Sequence, residues 1–443
     1  MLKTFKKGGV HPPENKLSAQ STLERLPLPE MVYIPISQHI GSAAEPVVQK
    51  GDTVKVGTLI AKQNGLFSAN IHSSVSGTVQ KIDEIIDSSG FRRKAIIIQV
   101  EGDQWEETID QSNTIVRDIP SDPKEIVQKI TSAGIVGLGG ATFPTHIKLS
   151  IPDGKKAEIL IINGVECEPY LTSDHRLMLE KGLEILIGTQ ILMKALNVHR
   201  ASIGIENNKK DAIKHLIELS KDFPGINVVA LKVKYPQGAE KQLIKAIINR
   251  EVPSGKLPID VGAVVQNVGT AFAVYEAVQK NKPLFERVVT ITGKNLSKPS
   301  NLVVRIGTPI RKLIDFAGGL PDNTAKIING GPMMGKAVCD IDVPVTKGTS
   351  GIVILSEKDA VRLPVQNCIR CAKCVSACPM GLEPYLLMTF GAKQMWSEAE
   401  TNKVVDCIEC GSCSFVCPAN RPLLDYIRLG KLTVGKIIRT RKS

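Results

Sequence analysis

The sequence predicts a multidomain chain that mixes α/β and α+β units and ends in a metal-binding module. Three observations predict it. The chain has 443 residues, 42% of them apolar, which is too long for one ordinary domain and enough to fill two to four cores. Between residues 121 and 280 aliphatic strand-like runs alternate with helix-like ones, the pattern of a layered α/β domain with a largely parallel sheet. Eight of the ten cysteines fall between Cys368 and Cys417 in two copies of one spacing, which points to metal ligation in a chain without an export signal.

Bulk properties exclude several classes. Aromatics are only 4% of the chain, so aliphatic side chains must build the cores, and 23% charged residues give no sign of disorder. No run of 18 apolar residues occurs; the best, 183–198, is broken by Gly188, Thr189, Gln190 and Lys194 and reads as a buried helix. The basic N-terminus lacks an apolar core, so no signal peptide and a cytoplasmic location are expected. The net charge is +12, with seven basic residues and one acidic between 421 and 443. No arginine-rich or aromatic-interleaved strip accompanies that charge, so nucleic acid is not an expected partner; a membrane or protein surface is.

In chain order, residues 1–29 read as an N-terminal arm. Residues 30–102 carry short apolar runs at 47–52, 54–61 and 71–79, separated by Gly-Asp and Ser-Gly turns. This unit resembles the barrel-sandwich hybrid of biotinyl and lipoyl carriers. Those carriers attach their cofactor to a lysine at a hairpin tip, and the corresponding stretch 64–70 has none, so the fold is expected without the carrier function. The α/β domain follows at 115–284. Asp122 ahead of Pro123 starts a helix; strands are expected at 157–163 and 227–233, and helices at 183–196, 210–220 and 239–248. Residues 285–345 show strands at 287–292 and 302–306, a helix near 310–317 and a strand at 325–329, the order of a small β-grasp domain. A cysteine module at 360–430 and a basic tail at 431–443 complete the chain.

The first cysteine set is Cys368, Cys371, Cys374 and Cys378, followed by Pro379; the second is Cys407, Cys410, Cys413 and Cys417, followed by Pro418. Both read C-x2-C-x2-C-x3-C-P, the pattern of two-cluster bacterial ferredoxins. Three thiolates two residues apart wrap a tight loop round three corners of a [4Fe–4S] cubane. The fourth, carried onto the following helix and stopped by proline, points at the other cluster. Cys368, Cys371, Cys374 and Cys417 are therefore expected to hold one cluster, and Cys407, Cys410, Cys413 and Cys378 the other. The insert 380–406 reads as helical around 384–395. Zinc is the alternative, but zinc ribbons use paired C-x2-C hooks, and a third and fourth cysteine, twice, fit one tetrahedral ion poorly. Cys167 and Cys339 match no ligand spacing and read as packing residues.

Residues 134–148 hold Gly134, Gly137, Gly139 and Gly140, then Phe143, Pro144 and Lys148. Backbone without Cβ atoms lets a phosphate or flat ring come close, and bare amides donate to anionic oxygens. The segment is neither a P-loop nor a G-x-G-x-x-G fingerprint; by itself it is a ligand cradle or a mobile surface loop. It resembles the G-x-x-G-x-G-G-A-G-F-P-T-x-x-K stretch of the NADH-binding flavoprotein subunit of respiratory complex I, which cradles FMN. Three further blocks match in order: Asn163-Gly-Val-Glu166-Cys-Glu168-Pro169, Tyr235-Pro-Gln-Gly238-Ala-Glu240 and Gln266-Asn267-Val-Gly-Thr270. With the barrel-sandwich unit ahead, the β-grasp and two-cluster units behind, and the opening Phe5-Lys-Lys-Gly-Gly-Val-His-Pro-Pro-Glu14, nearly the whole chain resembles the RnfC family, subunits of the Rnf ion-translocating ferredoxin:NAD oxidoreductase complexes.

That resemblance implies non-covalent FMN lined by Gly137, Gly139, Gly140 and Lys148, with Asn163, Glu166, Tyr235, Gly238, Gln266, Asn267 and Thr270 holding its ring and ribityl chain. It implies Phe143 stacked on a nicotinamide or adenine ring, and Glu168 and Glu240 facing the dinucleotide as catalytic residues. The whole would be a peripheral subunit on the cytoplasmic face of the cell membrane. It would pass electrons between NAD(H), FMN and two [4Fe–4S] clusters in a complex coupling ferredoxin:NAD exchange to Na+ or H+ transport, ferredoxin reaching it through partner subunits. A soluble electron-bifurcating hydrogenase or dehydrogenase subunit is the alternative, usually without the barrel-sandwich unit. Leu138, Thr142, His146, Val165, Ala239, Gln266 and Gly269 depart from the complex I pattern; they leave the flavin cradle in place and weaken the expected nicotinamide contacts.

Overall fold

The computed structural model describes residues 2–441; Met1 and the last two residues of the expected basic tail lie outside the described residues. At its centre is the α/β domain. Four parallel strands, Ile159–Asn163, Ala201–Glu206, Ile226–Leu231 and Ala263–Asn267, lie in the spatial order 226–231, 201–206, 159–163, 263–267. Seven helices accompany them: α1 (Pro123–Ser132), α2 (Thr145–Leu149), α3 (Ser173–Glu180), α4 (Gly182–Ala195), α5 (Lys210–Leu219), α6 (Glu240–Ile248) and α7 (Val268–Gln279). Asp122 caps α1 ahead of Pro123, accepting from Lys124 N at 2.9 Å, which satisfies an amide the first turn would leave orphaned. Leu160 and Ile162 share a core with α1, α4 and α7, while Ile159 and Ile161 pack with α6. Both faces are covered, so the strands are largely apolar, with polar residues concentrated at their carboxyl ends.

The first strand of this sheet lies inside it. The chain leaves 159–163 for 201–206 on one side and returns at 263–267 on the other. The switch point between strands 159–163 and 263–267 opens a crevice beyond their carboxyl ends, where open α/β sheets bind ligands.

The barrel-sandwich unit has two small sheets. One holds Met31–Pro35, Arg92–Val100, Gly77–Ile86 and Thr53–Val54; the other holds Glu45–Pro46, Leu59–Lys62 and Ile71–His72. Ile34, Ile60, Ile71, Val79 and Ile96 fill the space between them, in an apolar cluster continuous with the core of the α/β domain.

The β-grasp unit is a six-stranded mixed sheet in the order Leu23–Arg25, Ser300–Arg305, Glu286–Thr292, Gly351–Ser356, Thr324–Asn329, Lys336–Ala337, with helix Ile310–Phe316 packed in its core. Two of these strands fall outside 285–345. Leu23–Arg25 comes from the arm and adds a parallel edge, and Gly351–Ser356 inserts between 286–292 and 324–329. Without that insertion the two strands would present unpaired backbone groups to each other.

The cysteine module follows. Short helices Lys373–Ala377 and Ser412–Phe415 carry cysteines, and helices Pro384–Ala392 and Trp396–Thr401 occupy the insert between the two sets. The long helix Leu423–Thr440 closes the module, burying Leu423, Ile427 and Val434 against Leu387 and Met388. The described part of the expected basic tail is thus mostly helix. Among the described residues no helix is long and apolar enough to cross a membrane.

Candidate functional site

Asn163 and Asn267 stand side by side at the switch point. Asn163 Nδ2 donates to Gly238 O at 2.8 Å, and its Oδ1 accepts from Val165 N at 3.1 Å. Asn267 caps α7: Oδ1 accepts from Gly269 N at 2.8 Å, and Nδ2 donates to Asp174 Oδ2 at 2.7 Å. Thr270, in the first turn of α7, accepts from Leu138 N at 2.9 Å and so ties the glycine-rich loop to that helix. Gln266 is buried and its Nε2 has no partner among the described residues, an orphan that a bound ligand would satisfy.

The glycines divide into two kinds. At Gly134, φ is +65° and a Cβ would meet Asn70 O at 2.2 Å, so packing against the barrel-sandwich unit demands glycine. Gly137 and Gly139 have ordinary φ, and a Cβ at either would meet no protein atom closer than 3.5 Å. Nothing in the folded chain requires glycine there. Gly140, at φ +105°, has open space where its side chain would be. The loop therefore fits a ligand pressed close against backbone amides, as FMN would be.

Lys148 on α2 donates to Glu240 Oε1 at 2.7 Å and to Val265 O at 3.0 Å. Phe143 meets Phe67 edge-on with ring centroids 6.1 Å apart, and His146 Nε2 lies 3.1 Å from Leu66 O. The hairpin tip that holds a cofactor in carrier proteins here packs on the glycine loop. Thr142, where the resembled stretch has glycine, is held at φ +50° with its carbonyl accepting from Ile40 N at 3.3 Å.

Glu166 takes a left-handed backbone, φ +46°, and turns its carboxylate onto the start of α3. Oε1 accepts from Asp174 N at 2.8 Å and Oε2 from His175 N at 3.1 Å. Glu168 points elsewhere. It accepts from Met333 N at 3.1 Å and Met334 N at 2.8 Å, both in the β-grasp unit, and from Tyr235 Oη at 3.3 Å. Burial raises its carboxyl to about 7, against the pull of those three donors. Glu240 is thus joined to Lys148 and Glu168 to Tyr235; among the described residues no hydrogen bond links the two glutamates.

Three contributors had no motif to announce them. Lys16 of the arm donates to the carbonyls of Glu166, Glu168 and Leu171 at 2.8, 2.9 and 2.7 Å. Arg287 of the β-grasp unit donates to Leu138 O at 2.8 Å, under the loop. Asp174 holds Asn267; its one signal was an acid in the first turn of a helix. Cys167 Sγ accepts from Gly238 N at 3.4 Å, and burial pushes its thiol well above the usual range, which suits packing.

Cys378, Cys407, Cys410 and Cys413 line one small cavity, walled otherwise by apolar side chains such as Met380, Leu382, Leu387 and Ile427. The fourth thiol of the first set therefore lies with three of the second. Burial pushes Cys407 up to about 11 and Cys413 up to about 12, and ligation must displace those protons. Cys374 and Cys417 influence each other electrostatically, while Cys368 and Cys371 are exposed. Among the described residues no three His, Cys, Asp or Glu side chains converge closely enough to hold a single metal ion; the fit to a cluster rests on the four-thiol cavity. That cavity adjoins the α/β domain, because Tyr235 and Cys410 share a buried cluster with Val10 and Ala377, with Cys167 and Met333 packed against it.

Such an arrangement defines a class of electron carrier, one that joins a flavin cradle at a sheet's switch point to iron–sulfur ligands through shared packing. Family models match the chain in the same order: the RnfC barrel sandwich hybrid domain over residues 3–103, the Nuo51 FMN-binding domain over 130–276, the SLBB domain over 288–337 and a 4Fe-4S dicluster domain over 367–421. The chain is 49% identical to the corresponding RnfC-type subunit of the proton-translocating ferredoxin:NAD(+) oxidoreductase complex of Clostridium ljungdahlii, over 97% of this chain and 93% of the relative. It is 46% identical to its counterpart in the Na(+)-translocating complex of Acetobacterium woodii, over 97% and 96%. A chain of an NAD+-reducing [NiFe]-hydrogenase is similar in fold, with a TM-score of 0.51 at 16% identity over 72% of this chain and 66% of that one. The chain belongs to the RnfC family of Rnf complex subunits.

Proposed function

We propose that this chain is the NADH-binding, FMN- and iron–sulfur-carrying subunit of a membrane-bound, ion-translocating ferredoxin:NAD oxidoreductase, held on the cytoplasmic face by partner subunits. Bound FMN would exchange a hydride with NAD(H) and electrons singly with [4Fe–4S] clusters, joining two-electron to one-electron chemistry. Gly137, Gly139 and Gly140 present backbone to the flavin, Asn163 and Asn267 frame it, and the Lys148–Glu240 pair borders the dinucleotide. The set Cys378, Cys407, Cys410 and Cys413, whose Cys410 packs with Tyr235, would hold the cluster nearer the flavin domain. The set Cys368, Cys371, Cys374 and Cys417 would hold the cluster that faces a partner, since its first two thiols are exposed.

One observation carries this reading: the shared cluster of Tyr235 and Cys410, which makes the cradle and the inner thiols one packed body. The test is to purify the chain without air, measure iron, sulfide and FMN, and add NADH. Bleaching of both chromophores is expected; zinc in place of iron with no yellow chromophore would overturn the reading.

A further inference from the structure

Behind the cradle lies a cavity of about 530 Å³, bounded by the arm strand at Leu23 and Arg25, the linker at Asp103, Trp105 and residues 110–115, helices α3, α4 and α7, and the β-grasp sheet. Leu138, Asp174, Gly269 and Arg287 form its inner end, against the glycine loop and the start of α7. Asp110, Ser112 and Asn113 line it where the linker is exposed. It runs from beneath the flavin cradle to solvent, and the flavin site as described makes no use of it.

We propose that this cavity is a proton path and that Asp174 is its inner station, taking and giving the protons that accompany electron transfer at the flavin cradle. The proposal rests on the FMN reading above. Hydride from NADH together with one proton reduces a flavin by two electrons. When those electrons leave singly, two protons must leave too, so each NADH yields NAD+, two electrons and one net proton. Each of those protons must pass between the cradle and solvent.

Three features point to Asp174. Its Oδ2 is held at 2.7 Å by Asn267 Nδ2, directly at the switch point, while Oδ1 receives no hydrogen bond among the described residues and the side chain borders the cavity. The groups facing it are Glu166 after strand 159–163, Lys209 at the start of α5, Arg287 on strand 286–292 and Asn267 at the start of α7; from the start of α4 and the arm strand, Lys181 and Glu184 pair with each other and Arg25 pairs with Glu286. Burial, reinforced by the Glu166 carboxylate, raises its carboxyl well above the usual carboxylate range, against Asn267, Arg287 and Lys209; a carboxyl raised in this way can both take and give a proton.

The walls suit water. Lys282 bonds Glu276 at 2.5 Å and Glu286 at 2.6 Å, and Arg305 bonds Asp103 at 2.7 Å. The charges are paired, which leaves a polar and roomy space of the kind that ordered water fills.

The test uses the full chain loaded anaerobically with clusters and FMN. Reduction by a reduced viologen, which delivers electrons without protons, is followed with a pH-indicator dye in weak buffer, and FMN affinity is measured against pH. Proton uptake is expected to slow about tenfold or more in D174N, and the pH dependence of FMN affinity expected of the parent should vanish. Ala273→Leu, which narrows the cavity from α7, should slow uptake while leaving FMN affinity and its pH profile unchanged. Should D174N lose FMN, Ala273→Leu decides alone. Uptake at the parent rate in an FMN-loaded variant overturns the proton path and leaves the flavin reading standing. Parent chain that takes no FMN at all overturns both.

Discussion

Asn163 and Asn267 end neighbouring parallel strands in direct register, and Asn267 Nδ2 reaches across to Asn163 O at 3.3 Å. The pairing is a product of topology. Because the strand ending in Asn163 is first in sequence yet interior to the sheet, the connections on its two sides diverge and leave these residues at the floor of the crevice. The glycine loop enters the same crevice after α1 and is fastened by Leu138 N to Thr270. Three segments far apart in sequence thus build one cradle, and each can be tested separately.

The two kinds of glycine should respond in opposite ways. Gly137→Ala adds a methyl that meets no protein atom closer than 3.5 Å, so stability should change by less than about 1 kcal/mol while FMN content falls. Gly134→Ala forces a side chain onto Asn70 O at φ +65° and should cost about 2 kcal/mol or more. Thermal unfolding and flavin absorbance together check both. Equal loss of stability in the two variants would mean that Gly137 also serves packing.

Cysteine substitutions should reveal the crossing of the two sets. The structure groups Cys378 with Cys407, Cys410 and Cys413, so Cys378→Ala and Cys407→Ala each remove the same cluster. Iron should fall from about eight to about four per chain in either, and no further in the double variant. Combining Cys378→Ala with Cys371→Ala should remove nearly all of it. Iron analysis decides, and the reverse pattern would mean that each cluster is held by one contiguous set.

The expected crossing of the two cysteine sets comes from a local spacing, and the fold brings Cys378 into one cavity with Cys407, Cys410 and Cys413. The helices α4 and α6 and strand 159–163 were legible too, since their aliphatic runs are long. Strand Ala201–Glu206 was not. Ser202 and Gly204 break its apolar run, and it is a strand because Gly204 lets Leu231, Leu243 and Ile247 close over it. Gly351–Ser356 has a strand's composition, but only pairing with two distant strands assigns it to the β-grasp sheet. The same holds within the site. Gly137 and Asn267 belong to motifs, whereas two of the three partners of the Glu168 carboxylate, Met333 and Met334, lie more than 160 residues away in the β-grasp unit, and Lys16 sits in an arm with no periodicity to read.

Lys16→Met should unfasten the loop between Asn163 and α3. That loop holds Glu166 and Tyr170 at φ +46° and +71°, a cost that surrounding contacts must offset. Lys16 supplies three of those contacts, to the carbonyls of Glu166, Glu168 and Leu171. Its loss leaves them without that donor, in part offset by relief of a buried charge, for a net cost of about 2–4 kcal/mol. FMN content should fall with iron unchanged. Retention of FMN with an unshifted unfolding midpoint would show that other groups carry the loop.

Lys347 gives a pH dependence whose sign is fixed by its surroundings. It is fully buried, and its Nζ donates to Asn70 O and Gly134 O, both at 2.7 Å, pinning the barrel-sandwich unit and the glycine loop to the β-grasp unit. Burial lowers its ammonium from 10.5 to about 7. Between those values the unfolded chain binds more protons than the folded one, so this residue's share of stability rises with pH, by about 1 kcal/mol per unit. Lys347→Met removes the titrating group. Urea unfolding of both proteins from about pH 7 to about pH 10 isolates it: Lys347 also acts on His39 and His72, but their lowered imidazoles are already neutral in that range, and the remaining groups cancel in the difference. The parent should gain on the variant steadily as pH rises; a constant difference would mean that the lysine stays charged in the folded protein, held by more than the two carbonyls beside it.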